Sequence, residues 1–283
     1  MIEAINLTKT YGTVRALKGV SFTLEAGKVY GLLGVNGAGK TTTLQLLSGY
    51  LTPTSGEVLV DGISMAKHPV EARSRIGYLP EVPPLYPELT VEEFLRFQAE
   101  LRQIKKGERD AAVREAIRVG RLSTVRRRLI GQLSKGFRQR VGLAAVLMGD
   151  PDILLLDEPT NGLDPVQMVE MRRLIRELGK ERTVVVSSHV LSEITREADE
   201  LLIIAAGRLV LAGPQEALTE GDGVLEVKLK DDEDTRRKLE GLNVLSVEHR
   251  ASDLEDLFLR VTEEAYREEN PEEDEEEEDG YDD

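Results

Sequence analysis

The 283-residue chain contains no cysteine and no tryptophan. Without thiols it has no disulfide framework and no thiolate metal site, a composition that suits a reducing cytoplasm. Aromatic residues make up only 4%, within a hydrophobic content of 40% that still suffices for a substantial core. No apolar run approaches the ~20 residues needed to span a bilayer, so any membrane must be crossed by another chain. The start, Met1-Ile2-Glu3-Ala4-Ile5-Asn6, lacks the basic and apolar segments of a signal peptide. Positive charge is not in excess either, since the formal net charge is −15. Internal repeats and sustained heptads are absent.

The negative charge is concentrated at one end. Residues 263–283 hold 14 acidic side chains and one arginine, leaving 38 acids against 36 bases in the rest of the chain. The folded body is therefore nearly neutral and lacks the basic footprint of a nucleic-acid binder. A segment such as Glu272-Glu273-Asp274-Glu275-Glu276-Glu277-Glu278-Asp279 repels itself and cannot bury apolar surface. Residues 263–283 are therefore expected to form a disordered acidic tail. Its expected role is solubility, with contact to the arginine-rich stretch Arg114 to Arg140 as the alternative.

The most informative feature present is Gly34-Val35-Asn36-Gly37-Ala38-Gly39-Lys40-Thr41, which fills every fixed position of the phosphate-loop pattern G-x-x-x-x-G-K-[ST]. The apolar run Val29-Tyr30-Gly31-Leu32-Leu33 before it suits a buried strand. Thr42-Thr43-Leu44-Gln45-Leu46-Leu47 after it suits a helix stopped near Gly49. In that setting the backbone N–H groups of Asn36, Gly37, Ala38 and Gly39 close around phosphates, helped by the helix N-terminus. Lys40 is placed to reach the β- and γ-phosphates, and the Thr41 hydroxyl to ligate Mg²⁺. The expected ligand is a nucleoside triphosphate with Mg²⁺.

A β-meander is expected over the first ~30 residues, with further strands at Glu57-Val58-Leu59-Val60 and Ile76-Gly77-Tyr78-Leu79. From about 88 to 150 the pattern is helical. Thr90 and Glu93 stand at capping-box spacing, and Ala112, Val113, Ala116 and Ile117 mark a second helix. Buried parallel strands return at Ile153-Leu154-Leu155-Leu156, Thr183-Val184-Val185-Val186-Ser187 and Leu201-Leu202-Ile203-Ile204. Between the first two, Asp164 and Pro165 open a helix. Strands alternating with helices indicate an α/β sheet covered on both faces. Residues 222–262 read as a small α+β appendage, with strand residues Val224, Val227 and Leu229, then Val244, Leu245 and Val247, and a last helix carrying Leu254, Leu257, Phe258 and Val261.

The run Ile153-Leu154-Leu155-Leu156-Asp157-Glu158 delivers two carboxylates to a strand end. In a parallel sheet that edge lies beside the phosphate loop. Asp157 is placed to hold Mg²⁺, and Glu158 to orient and deprotonate the attacking water.

With these residues in place the chain resembles the nucleotide-binding subunits of ATP-binding cassette (ABC) transporters over about residues 1–220. Residues 34–41 match the Walker A loop and 153–158 the Walker B strand. Leu133-Ser134-Lys135-Gly136-Phe137 matches the signature sequence, Asn161-Gly162-Leu163-Asp164 the D-loop, and Ser188-His189 the switch histidine. The resemblance implies a P-loop NTPase cassette: a mixed-sheet core, an antiparallel β part and a helical subdomain. It implies that Tyr11 stacks on adenine, that Thr42 joins the ATP site, and that Asp164 belongs to the D-loop. It also implies that His189 bonds the γ-phosphate in cis. Two cassettes would pair head to tail, with Ser134 and Gly136 contacting the γ-phosphate in trans. The chain departs from the pattern at Lys135 and Phe137, where glycine and glutamine are usual, and at Glu81, which replaces the Q-loop glutamine. Glu81 would still accept from metal-bound water, at the cost of an added charge.

The expected function is that of an ATP-hydrolysing subunit, homodimeric, on the cytoplasmic face of the membrane, powering a separately encoded permease. Export is expected from similarity to bacterial drug, polysaccharide and gliding-motility ATPases, although importers share most of the motifs. Leu85, Tyr86, Leu89 and Phe94 form either an apolar socket for that permease or the core of the helical block. A soluble cassette ATPase of assembly, translation or DNA repair is the alternative. A P-loop GTPase is disfavoured, since no Asn-Lys-x-Asp motif is present.

Overall fold

The computed structural model describes residues 1–195, 198–215 and 218, with two short strand pieces at 224–225 and 249–250. The chain opens as an antiparallel hairpin of β1 (Ile2–Tyr11) and β2 (Val14–Leu24). Joined by β4 (Ser55–Val60) and β5 (Ile63–Ser64), it makes a four-stranded sheet in the order β2-β1-β4-β5. Asp61 and Gly62, at φ 49° and 76°, form the tight β4–β5 turn, as an Asp-Gly pair favours.

A second sheet contains β3 (Val29–Leu33), β6 (Ile76–Leu79), β7 (Ile153–Leu156), β8 (Thr183–Ser188), β9 (Glu200–Ala205) and β10 (Arg208–Pro214), in the order β10-β9-β3-β8-β7-β6. Its first five strands in sequence are mutually parallel, and β10 runs antiparallel beside β9. Side chains that alternate along each strand feed two different cores. Tyr30, Leu32, Ile153, Leu155, Val185, Leu202 and Ile204 face α1 (Lys40–Leu47) and the antiparallel sheet. Leu33, Leu154, Leu156, Val184, Val186, Leu201 and Ile203 face α6 (Pro165–Gly179) and α7 (Leu191–Ile194). At roughly 1.5–3 kcal/mol for each fully buried large aliphatic side chain, these two faces supply most of the folding drive.

The helical block contains α3 (Val91–Leu101), α4 (Arg109–Val119) and α5 (Lys135–Leu147) around Phe94, Leu95, Val113, Ile117 and Val141. The Thr90–Glu93 capping box forms as its spacing indicates. Helix α5 belongs to two cores, packing Leu143 and Val146 against the sheet and Val141 and Ala144 into the block. A short helix α2 (Pro69–Ser74) precedes β6.

Four of these elements were not expected from the sequence: β5, α2, α7 and β10. The β9–β10 turn, Ala206-Gly207, lies at φ 46° and 77°. Its Gly207 N–H donates to the Ala38 carbonyl at 3.1 Å, and its Gly207 carbonyl accepts from Lys18 N–H at 2.8 Å. The strand pieces β11 (Val224–Leu225) and β12 (His249–Arg250) pair antiparallel. The remainder of the expected appendage and the acidic tail lie outside the described residues.

Candidate functional site

The C-terminal ends of β3, β7 and β8 carry the chemistry to one edge of the sheet. After β3 the chain turns through residues 34–39, where Ala38 N–H bonds the Val35 carbonyl at 3.2 Å. Gly39 then adopts φ 112° as the N-cap of α1, a left-handed geometry that glycine takes without a Cβ penalty. Among the described residues no side chain caps α1, which leaves its first N–H groups to an external acceptor. Asn36, Gly37 and Thr41 are exposed, whereas Thr42 and Gly39 are half-buried and Ala38 is buried.

Lys40 is only 6% exposed. Its ammonium group donates to the Gly34 carbonyl at 2.7 Å and the Val35 carbonyl at 3.2 Å, and pairs with Glu158 Oε1 at 3.3 Å. The other carboxylate oxygen of Glu158 accepts from His189 Nδ1 at 2.8 Å. A carboxylate is only an acceptor, so that nitrogen carries the hydrogen. Glu158 itself sits at φ 47°, a conformation rare for a non-glycine residue and recurrent at functional sites.

Ser187 holds this conformation. Its fully buried hydroxyl accepts the Glu158 N–H at 2.8 Å and donates to Asp157 Oδ1 at 2.7 Å, fixing both carboxylates at once. Asp157 is 1% exposed. Burial pushes its carboxyl above the usual range; the Ser187 and Thr41 hydroxyls pull it down, and the charges of Glu158 and Glu81 add to the rise. The Tyr78 hydroxyl, buried beside them with no close hydrogen-bond partner among the described residues, is likewise pushed up by burial and by Asp157. Glu81 reaches the same edge from the segment after β6, where its Oε1 accepts from Asn161 Nδ2 at 2.8 Å.

These oxygen donors suit a hard divalent cation. Thr41 and Asp157 offer neighbouring hydroxyl and carboxylate oxygens, and the carboxylates outnumber the single lysine. Among the described residues no group of three or more His, Cys, Asp or Glu forms a closed cage.

The remaining expected site residues lie apart from this cluster. Tyr11 is 45% exposed at the end of β1, with the Lys9 ammonium 5.3 Å from its ring centroid. Ser134 is the exposed N-cap of α5. Gly136 is buried, covered by the side chain of Gln167 from α6. Asp164 caps α6 by accepting the Gln167 N–H at 2.9 Å. Three contributors escaped the sequence reading: Ser187, Gln167 and the link from Asn161 to Glu81. The serine closing a buried valine run was the only available signal.

A groove of about 450 Å³ runs past Tyr50, Tyr78, Val82, Pro84 and Leu85 to the helical block. Phe94 is buried core beneath it, and Leu85 and Leu89 pack against that core. Tyr86 is 45% exposed and sets its ring edge-on to Phe97 at 5.6 Å. No helix among the described residues is long and apolar enough to cross a membrane.

Comparison with known proteins agrees with this geometry. The ABC transporter family profile matches residues 17–161. The chain is 41% identical over 234 residues to the bacitracin transport ATP-binding protein BcrA of Bacillus licheniformis, covering 82% of this chain and 76% of that protein. It is 33% identical to the Nod factor export ATP-binding protein I of Burkholderia lata, covering 92% of this chain and 96% of that one. A solved ATP-binding subunit of an ABC transporter superposes with a TM-score of 0.73 at 28% identity, covering 93% of this chain and 99% of that one. The dimeric cassette MJ0796, in a post-hydrolysis state bound to ADP and Pi, superposes with a TM-score of 0.69 at 27% identity, covering 76% and 98%. The cassette fold, the phosphate loop and these relatives agree: the chain belongs to the ABC transporter family and is an ATP-binding, ATP-hydrolysing subunit of it.

Proposed function

We propose that Lys40, Thr41, Asp157, Glu158, Glu81 and His189 make one half of a MgATP site in a homodimer whose ATPase cycle drives a separate membrane permease. The observation that carries this reading is the Lys40–Glu158–His189 chain set against Asp157 and Thr41 beside the open N-terminus of α1. The backbone of residues 36–39 and Thr42 cradle the phosphates. The Lys40 ammonium exchanges Glu158 for phosphate oxygens, and that exchange frees the carboxylate to take a proton from the attacking water. His189 orients Glu158 and bonds the γ-phosphate. Thr41, Asp157 and Glu81 would hold Mg²⁺, which would neutralise charge developing on the phosphates.

Ser134 stands exposed at the N-cap of α5, with Gly136 in the first turn behind it. In the homodimer they contact the partner's γ-phosphate; that a solved relative is dimeric supports the pairing itself. Tyr11 faces adenine from the hairpin end, and Asp164 lines the dimer seam. The permease docks on the groove between Tyr78 and the helical block, with exposed Val82 and Tyr86 as its contacts. The protein then sits on the cytoplasmic face of the membrane. Two relatives named for bacitracin transport and Nod factor export favour an exporter.

The test is Glu158→Gln. Turnover should fall at least about 100-fold, the scale of a lost general base, while MgATP still binds and drives a stable dimer on a sizing column. Steady-state ATPase activity retained in that variant would remove Glu158 from the role of base.

A further inference from the structure

We propose that Gln167 fixes the Ser134 hydroxyl as a hydrogen-bond donor to phosphate. The inference deepens the reading of Ser134 as a trans contact and rests on it. Ser134 Oγ accepts from two N–H groups. One is the Phe137 backbone amide of its own helix at 3.4 Å, and the other is Gln167 Nε2 at 3.4 Å. Both are long bonds, as is common where a ligand tightens a site. A hydroxyl has two lone pairs and one hydrogen. With both lone pairs facing protein donors, the hydrogen finds no acceptor among the described residues. It is left to point outward at the exposed N-terminus of α5, where an anion is favoured.

Gln167 is itself placed at both its backbone and its carboxamide. Its backbone N–H bonds Asp164 Oδ1 at 2.9 Å. Its carboxamide lies so close over Gly136 that a Cβ there would stand 2.3 Å from Oε1 and 2.6 Å from Cδ. A side chain at 136 would thus push the carboxamide out of its place. One turn further along, Arg140 and Glu170 form an ion pair between the same two helices. Lys135 Nζ rests against Gly162, 2.6 Å from where a Cβ would be. The start of the signature helix is therefore clamped to the helix that follows Asp164, and Gln167 is the contact of that clamp that reaches Ser134. A carboxamide N–H at this point directs the serine hydrogen away from it. A carboxylate would accept that hydrogen and take the donor from the phosphate. Gln167 is a positioning residue acting through Ser134.

The experiment measures MgATP-driven dimerisation of the full chain by sedimentation, in the Glu158→Gln background, for Ser134→Ala, Gln167→Met, Gln167→Ala and Gln167→Glu. Binding of a fluorescent ATP analogue to dilute protein and the melting temperature serve as controls for folding. Ser134→Ala and Gln167→Glu should each raise the ATP concentration for half-dimerisation at least about tenfold, and Gln167→Met and Gln167→Ala by about two- to fivefold, as expected for a captured versus a merely loosened donor. Lowering the pH through the carboxyl range should restore dimerisation to Gln167→Glu relative to Gln167→Ala, because a protonated carboxyl again donates. If Gln167→Glu matches Gln167→Ala at every pH, the inference is overturned while the reading of Ser134 stands. Should Gln167→Glu not fold, Gln167→Met decides, and wild-type dimerisation in it overturns the inference. If Ser134→Ala dimerises normally, the trans reading fails and takes the inference with it.

Discussion

Asp157, Glu158 and Ser187 form a unit in which each residue limits the others. Asp157 pays for its position by carrying a carboxyl that burial has raised above the usual range. The folded chain therefore binds that proton more tightly than the unfolded chain, and at neutral pH the group subtracts from stability. The subtraction disappears as pH falls from neutral through the raised folded value toward the ordinary one. Asp157→Asn should thus melt higher than the wild type at pH 7 in EDTA. The gap should close on acidification, and addition of MgATP should reverse the order. Ser187→Ala acts in the opposite sense. It leaves the Glu158 N–H and an Asp157 oxygen each short of a partner in a buried site, which costs about 1–3 kcal/mol. A lower midpoint in urea together with a reduced kcat is the expected result, because Glu158 at φ 47° loses its anchor. The tie between Glu81 and Asn161 spans 80 positions in sequence, and no local pattern announces a bond of that reach.

Elements set by local chemistry were legible. The Thr90–Glu93 box starts α3 and the Asp164-Pro165 pair starts α6, each where its spacing indicates. Thr90→Ala removes the side-chain cap and should lower stability by about 1 kcal/mol, readable as a shift of the urea midpoint with an unchanged m-value. Buried runs such as Ile153–Leu156 declare a parallel strand through continuous apolarity. Strand β10 was missed because its apolar residues Leu209, Val210 and Leu211 are only half-buried and unbroken by alternation. The Ala206-Gly207 turn before it, with both residues at positive φ, was the available sign of a hairpin. The double allegiance of α5, half to the sheet and half to the helical block, follows from tertiary packing that a single helical pattern does not express. The contact of Gln167 with Ser134 arises from the same packing and was equally invisible.

At the scale of the molecule, the two-faced sheet and the separate helical core leave the phosphate loop and the Ser134 end of α5 on different parts of the chain. Removing residues 263–283 takes the formal charge from −15 to −2 by subtracting 14 acids and one arginine. Solubility at low salt should fall near neutral pH, as for any protein near zero net charge, while ATPase turnover per folded chain stays as it was. A precipitation curve measured beside an ATPase assay checks both halves of that expectation. The stitch made by Gly207 has a mechanical corollary. Because one turn grips the loop at Ala38 and the hairpin at Lys18 together, those two parts travel as a single anvil. Shearing the loop away from the hairpin would first have to break both of those backbone bonds.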